Sequence, residues 1–273
     1  MGKFDGILIC TDLDGTLLRR NKTISEENLR AIDYFKSEGG RFTFITGRMP
    51  YFVSSIYETV EPNAPFGCIN GGGLYDHREQ KYLWAETLSR DALELVEYAD
   101  RNIEGLGIQV NTLGVLYFCR ENEAMVNFRR ATGMPNITKD YRDVEEPIGK
   151  IVFGDRDTSK LERLAKLLNG HPRAAEFDFI RSEATLYEIL PKGISKGTAL
   201  KKLCEVLGIP LSQSIAIGDY NNDIGMLRAA GIGVAVANAS EDAKAAADYV
   251  TVSNEEHAIA RVIADLDSGA LRF

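Results

Sequence analysis

Histidine is nearly missing from this chain, with three in 273 residues: His77, His171 and His257. So sparse a supply excludes a histidine-rich metal centre. Cysteine is also scarce, at Cys10, Cys68, Cys119 and Cys204. None of the four stands at zinc-ligand spacing, and Cys10 and Cys68 fall in apolar strand-like runs. That predicts reduced thiols in a cytoplasmic protein rather than a disulfide framework. No apolar run is long enough to cross a bilayer. The opening residues, Gly2-Lys3-Phe4-Asp5, lead into a short apolar stretch that ends in acids, unlike a secretory leader. A basic excess is lacking too. The formal net charge is -8, which makes the chain a poor partner for nucleic acid. Phosphate ligands stay open to it if the site itself supplies cations. No repeat, low-complexity tract or long linker stands out.

What is present is ordinary globular material, 44% hydrophobic and 26% charged, enough for one large domain or two modest ones. Gly6 to Cys10 (GILIC) reads as a buried parallel strand that runs into acids. Ser25 to Ser37 reads as a helix capped by Ser25, with Ile24 and Leu29 as a hydrophobic staple and Gly39-Gly40 as its stop. Arg41 to Thr46 is a second strand and Phe66 to Asn70 a third, with a helix between them. Leu74 to Ala85 reads as a hairpin turning near His77 to Gln80. This alternation implies a parallel sheet with right-handed crossovers. From Ser89 to Leu190 hairpins and helices mix as in an α+β fold. Simple alternation resumes with a helix from Lys196 to Leu207, a strand from Ser214 to Ile217, a helix from Asp223 to Ala230, two short strands and a closing helix from Glu255 to Leu266. The expected fold class is α/β: a Rossmann-like parallel core from residues 1–85 and 191–273, with an α+β domain inserted at 86–190.

Four constellations carry chemistry. Asp12-Leu13-Asp14-Gly15-Thr16 follows the first strand. Two acids one residue apart at a strand end point to the same side, and ligands of open α/β sheets bind at that end. One carboxylate can attack phosphorus, and the other can pass a proton to the leaving oxygen. An Asp/Gly-rich turn is the plain alternative. Phe44-Ile45-Thr46-Gly47-Arg48 places a hydroxyl and free N–H groups before a helix, as phosphate sites do, although it could be a mere strand stop. Gly193-Ile194-Ser195-Lys196-Gly197 puts Lys196 in a helix's first turn. There it could offset two aspartates or simply face solvent. Gly218-Asp219-Tyr220-Asn221-Asn222-Asp223 adds two carboxylates after another apolar strand. Oxygen ligands of this kind suit Mg²⁺, while Asn221 or Asn222 could be helix caps.

Together these pieces, in the order acid pair, hydroxyl, lysine, acid pair, resemble the haloacid dehalogenase superfamily. Gly218 to Leu227 (GDYNNDIGML) and Cys68 to Asp76 (CINGGGLYD) resemble its Cof-type branch, which carries a large α/β cap between the second and third motifs. The inserted block falls in that interval. One departure is Gly72, where many relatives have alanine. The resemblance implies Asp12 as nucleophile and Asp14 as acid/base. It implies Mg²⁺ held by the carboxylates of Asp12 and Asp219 and the backbone carbonyl of Asp14, with Asp223 orienting that set. Thr46, Lys196 and Asn222 would hold phosphate oxygens, and the cap would choose the leaving group. Asp14 would need a carboxyl protonatable near neutral pH, its pKa raised by nearby Asp12. The implied substrate is a small phosphorylated metabolite: a sugar phosphate, pyridoxal phosphate or flavin mononucleotide, small phosphosugars being favoured. Nucleic acid and membrane are not expected partners, and oligomeric state is not legible.

Three other readings compete. The superfamily also contains phosphosugar mutases, which transfer the phosphoryl group. Gly193 to Gly197 fits the G-x-S-x-G pattern of serine hydrolases, with Asp219 and His257 following in order and Asn70-Gly71-Gly72-Gly73 as an oxyanion loop. That pattern leaves Asp12 and Asp14 idle, and Pro191-Lys192 parts the motif from its strand. A non-catalytic phospho-ligand sensor is the third, and such a protein has no need of the acid pair. The cap aromatics (Tyr98, Tyr117, Phe118, Phe128, Tyr141) read as core. Arg48, Arg129 and Arg130 could meet an anionic substrate or solvent.

Overall fold

The computed structural model describes residues 2–273. The chain divides into two compact units, Met1–Trp84 with Ser195–Phe273, and Ala85–Ile194. The first stretch runs β1 (Leu8–Thr11), α1 (Glu26–Ser37), β2 (Arg41–Phe44), α2 (Ser54–Val60), β3 (Phe66–Cys68), β4 (Gly73–Asp76) and β5 (Lys81–Ala85). The insertion runs α3 (Ala92–Asn102), β6 (Gly107–Thr112), β7 (Leu116–Arg120), α4 (Glu123–Thr132), β8 (Ile148–Gly154), α5 (Thr158–Asn169), β9 (Phe177–Glu183) and β10 (Leu186–Pro191). The last stretch runs α6 (Lys196–Leu207), β11 (Ser214–Gly218), α7 (Ile224–Ala229), β12 (Ile232–Ala235), α8 (Glu241–Ala246), β13 (Tyr249–Val250) and α9 (Ala258–Ser268).

Strands β13-β12-β11-β1-β2 form a parallel sheet in that order. Every residue of β1 and of β11 is buried, as a sheet covered on both faces requires, and each sequence is accordingly apolar without alternation. From β1 the chain crosses to β2 on one side, whereas β11, β12 and β13 progress on the other. The order therefore reverses between β1 and β11, and in open α/β sheets the crevice for ligands lies at the strand carboxyl ends there. Helix α1 starts where expected because the Ser25 hydroxyl accepts from Asn28 N at 3.2 Å.

The third strand ends early. Ile69 and Asn70 take φ of 56° and 52°, a left-handed turn that stops β pairing at Cys68. The closing helix begins late, because a 3₁₀ turn at Asn254–Glu256 and a left-handed His257 precede Ala258. Helix α8 escapes a reading by periodicity. It is six residues of EDAKAA, started by the Ser240 hydroxyl accepting from Ala243 N.

In the second unit an antiparallel sheet has the order β7-β6-β8-β10-β9. Helices α3 and α5 bury Leu95, Val96, Leu161 and Leu164 in one cluster with Val110, Ile151, Phe153 and Ile189. Alternation along each strand gives one apolar face to these helices and leaves a different set of side chains on the other.

Candidate active site

The C-terminal ends of β1, β11 and β2 lie side by side in the sheet, and each is followed by one of the motifs. Asp12 continues the ladder of β1, its N–H donating to Ile217 O of β11 at 2.8 Å. That bond fixes the backbone from which the side chain projects. Asp219 stands directly after β11, and Thr46 is tied past the end of β2 by its own N–H to Gly67 O at 3.0 Å. The turn between Asp12 and Thr16 needs glycine at position 15. Its φ is 85°, and a Cβ there would lie 2.4 Å from Asp219 Oδ2.

Lys196 decides the character of the site. Its side chain is fully buried, at 0% exposure, and not the solvent-facing lysine that a first helical turn could equally hold. Nζ donates to Asp12 Oδ1 at 2.5 Å and to Asp223 Oδ1 at 2.6 Å. The other oxygen of Asp223 accepts from the N–H groups of Asp219 and Tyr220 at 2.8 and 2.9 Å, so this carboxylate is fully committed. It, rather than Asn221 or Asn222, receives the N–H groups of the turn. Asp219 Oδ1 accepts from the Thr16 hydroxyl at 2.9 Å.

Oxygens of Asp12, Asp219 and Asp223 all lie within 4.8 Å of one another. Three carboxylates around one lysine leave a surplus of two negative charges in a buried place. That surplus bears on Asp12, Asp219 and Lys196 in different ways. Burial pushes the Asp12 carboxyl up, Lys196 pulls it back, and Asp223 and Asp219 leave it well above the ordinary range. Burial and the Asp223 charge raise Asp219 to about 6. Burial alone would lower Lys196, but Asp12 and Asp223 outweigh it and hold the ammonium above its usual pKa. A set of hard oxygens short of two positive charges fits a divalent cation such as Mg²⁺.

Asp14 departs from expectation. Its carboxylate is gripped by Arg48, Nε to Oδ2 and Nη2 to Oδ1, each at 2.8 Å, and Lys22 Nζ reaches Oδ1 at 2.7 Å. Burial by itself would raise this carboxyl, but the hydrogen bonds and charges of Arg48 and Lys22 outweigh it and hold Asp14 below its ordinary value. The raised pKa expected from Asp12 is therefore corrected: the resting Asp14 is an ionised, doubly paired carboxylate. The sequence leaves Arg48 open to substrate or solvent and gives no signal for Lys22. The Arg48 pairing yields a prediction. Arg48→Ala should slow hydrolysis of alkyl phosphates about tenfold, and p-nitrophenyl phosphate, with its better leaving group, by much less. Loss of that cation leaves Lys22 alone to oppose burial, so Asp14 should titrate at higher pH. The alkaline limb of the rate profile would then move upward. Equal losses on both esters with an unmoved profile would show that Arg48 does not position Asp14.

The Thr46 hydroxyl, 1% exposed, accepts from Arg48 N at 3.2 Å, which leaves its proton for an incoming acceptor. Asn222 Nδ2 donates to Asn70 Oδ1 at 3.1 Å. Asn70 thus joins the site from the left-handed turn after β3. The sequence places Asn70 at the end of a strand and signals neither the turn nor the contact. The serine-hydrolase pattern is not assembled. Ser195 caps α6 with its hydroxyl 3.5 Å from Thr198 Oγ1. His257 Nδ1 instead meets Arg19 Nη2 at 3.2 Å and Glu27 at 3.5 Å. Asp219 is bound to Thr16.

The family model described as haloacid dehalogenase-like hydrolase matches residues 9–263. The chain belongs to this family. Membership of the haloacid dehalogenase-like hydrolases bears out the resemblance read from the motifs, its Cof-type branch included, and makes the chain an enzyme. Relatives agree along nearly the whole length of this hydrolase. The 5-amino-6-(5-phospho-D-ribitylamino)uracil phosphatase YitU of Bacillus subtilis is 30% identical, the match covering 94% of this chain and 96% of the relative. Pyridoxal phosphate phosphatase YbhA of Escherichia coli is 28% identical over 94% and 97%. A haloacid dehalogenase-like hydrolase from Bacteroides thetaiotaomicron, solved by crystallography, superposes with a TM-score of 0.83 at 27% identity, covering 95% of this chain and 99% of that one. The α/β fold class, with a parallel core and added antiparallel sheets, is borne out by the same likeness. Among the described residues no helix is long and apolar enough to cross a membrane.

Proposed function

We propose that this hydrolase is a Mg²⁺-dependent phosphatase that cleaves small phosphate monoesters through an aspartyl phosphate on Asp12. The observation that carries this reading is the buried set of Asp12, Asp219 and Asp223 around a single Lys196. Asp12, Asp219 and the backbone carbonyl of Asp14 would hold Mg²⁺, which offsets charge on the phosphate when bound. Asp223, with both oxygens committed, orients Lys196 and the Asp219 turn.

The Asp12 carboxylate forms a bond to phosphorus as the ester oxygen–phosphorus bond breaks. Lys196, the Thr46 hydroxyl and Asn222 hold the non-bridging oxygens, where charge is stabilised. Asp14 gives a proton to the departing oxygen and then takes one from the water that attacks phosphorus and frees Asp12. It is ionised at rest, ready for the second of these tasks. The negative charge of an arriving phosphate beside it favours its protonation for the first. The inserted unit selects the leaving group. Relatives named for a ribitylaminouracil phosphate and for pyridoxal phosphate support a small phosphorylated metabolite as substrate, and phosphosugars belong to the same size class. Among the described residues none of the four cysteines forms a disulfide, and three of them are buried, which suits a reducing cytoplasm.

Initial rates on a panel of phosphate esters test this reading. Activity should require Mg²⁺ and vanish in EDTA; full metal-free turnover would refute the metal. Apparent Mg²⁺ affinity should also depend on pH. Burial and the Asp223 charge push the Asp219 carboxyl up to about 6, and cation and proton compete for it. Affinity should then fall about tenfold from roughly pH 7 to roughly pH 5, read by calorimetry or by the Mg²⁺-induced rise in melting temperature.

A further inference from the structure

The turn from Asp14 to Leu18 is weakly tied to itself. Its two end residues meet in an isolated β-bridge. Thr16 N lies 3.4 Å from Leu13 O and Leu17 N 3.3 Å from Asp12 O, whereas Leu18 N stands 2.8 Å from Leu13 O. Bonds as long as the first two hold weakly, and Gly15 has no Cβ to narrow its backbone freedom. The carboxyl and carbonyl of Asp14 therefore stand where outside contacts put them.

Those contacts come from two asparagines that lie outside the four motifs. Asn238, in the loop between β12 and α8, donates from Nδ2 to Gly15 O at 2.8 Å. Its Oδ1 accepts from Asn254 N at 2.9 Å. Asn254, in the turn before α9, donates from Nδ2 to Leu18 O at 2.9 Å. One relay thus grips the turn at two carbonyls, just after Asp14 and just before Arg19. Arg19 N donates to Thr23 O, and Lys22 N to Arg19 O, each at 2.9 Å. The anchor at Leu18 therefore also sets the tight turn from which Lys22 reaches Asp14. In the same loop as Asn238, Ser240 N donates to Asp219 O at 2.8 Å, so one segment spaces the Asp14 and Asp219 turns. All of these residues belong to the first compact unit.

We propose that Asn238 and Asn254 are positioning residues for the Asp14 acid/base. The inference rests on the phosphatase reading given above. Asn254 is 5% exposed, so loss of its bond leaves a carbonyl poorly paired and weakens the fold as well. Asn238 is exposed. A bond that water can replace adds little to stability, yet a small displacement of a proton donor is expensive in rate. Asn238 is therefore the residue at which positioning and stability separate.

The test compares Asn238→Ala and Asn238→Asp with the unsubstituted enzyme on glucose 6-phosphate and p-nitrophenyl phosphate. Amide hydrogen exchange of the segment from Leu13 to Leu18 is read on the same proteins by mass spectrometry. Asn238→Ala should melt within about 3 °C of the unsubstituted enzyme. It should lower kcat for glucose 6-phosphate about tenfold with KM within about twofold, and p-nitrophenyl phosphate, which needs less help from an acid, much less. Exchange from Thr16 to Leu18 should quicken about fivefold, the scale of one lost hydrogen bond, with β11 unchanged. Asn238→Asp keeps an acceptor for Asn254 N but sets an oxygen against Gly15 O, and should lose at least as much. Equal losses on both esters, unchanged exchange, or full activity in Asn238→Asp would overturn the proposal. Should the unsubstituted enzyme hydrolyse neither ester, the phosphatase reading falls, and exchange judges the grip on the turn alone. Quickening in both variants supports that grip, and an unchanged rate overturns it.

Discussion

Asp12→Asn is expected to slow phosphate-ester hydrolysis by at least about 10⁴-fold, the scale of losing a nucleophile. The substitution is nearly isosteric and leaves the backbone bond from Asp12 N to Ile217 O untouched. It removes the negative oxygen that would attack phosphorus and one of the carboxylates available to a cation. It also takes one negative charge from a cluster with a surplus of two, so the metal-free protein should lose no stability and can gain some. Loss of turnover with an unchanged or higher melting temperature is therefore the expected pair of results. Rates and thermal unfolding measured on the same preparation check both. Appreciable residual turnover in pure protein would remove Asp12 from the nucleophile's role.

Lys196→Met should do the opposite to stability while also abolishing useful activity. Methionine fills similar volume, but Asp12 and Asp223 lose the one cation that both touch. Breaking a buried ion pair from one side costs about 3–5 kcal/mol, and removal of a donor to developing phosphate charge costs about 10³-fold in rate. The pH dependence has a definite sign. Without Lys196 the Asp12 carboxyl, already raised in the folded state, is held further above its value in the unfolded chain. The native protein then holds more protons, and stability falls as pH rises through the interval between the two values. The variant should be nearest to the unsubstituted protein in mild acid and weakest at neutral pH. Urea unfolding across that range measures it. A flat difference would mean that the three carboxylates do not share one electrostatic account.

Much of this arrangement was legible in the sequence for a simple reason. Asp12, Asp14, Thr46 and Asp219 follow short apolar runs, and such runs become buried parallel strands whose carboxyl ends lie together. Reading the ends of strands was enough to place them. Lys196 was harder, because the first turn of a helix can face inward or outward, and only packing decides. The pairing of Arg48 with Asp14 was illegible. A long side chain after β2 can reach solvent, substrate or carboxylate at similar local cost, and the choice depends on where the Asp12–Thr16 turn stands in space. The left-handed Ile69–Asn70 turn hid inside an apolar run that resembles strand up to its last residue. Helix α8 has too few residues and too little apolar periodicity to announce itself. Sequence and structure thus part where one long side chain or one backbone dihedral carries the outcome. The regular elements are legible because their burial is spread over many residues.

Covalent capture of the phosphoryl group tests the central claim most directly. The enzyme is mixed with substrate and Mg²⁺, quenched in acid within the first turnover, digested and examined by mass spectrometry. The account predicts one phosphoryl group on the peptide containing Asp12, stable in acid, released by hydroxylamine and missing from Asp12→Asn. Full release of inorganic phosphate in that first turnover by an enzyme whose quenched Asp12 never carries phosphate, even with Asp14→Asn to slow the second step, would contradict it.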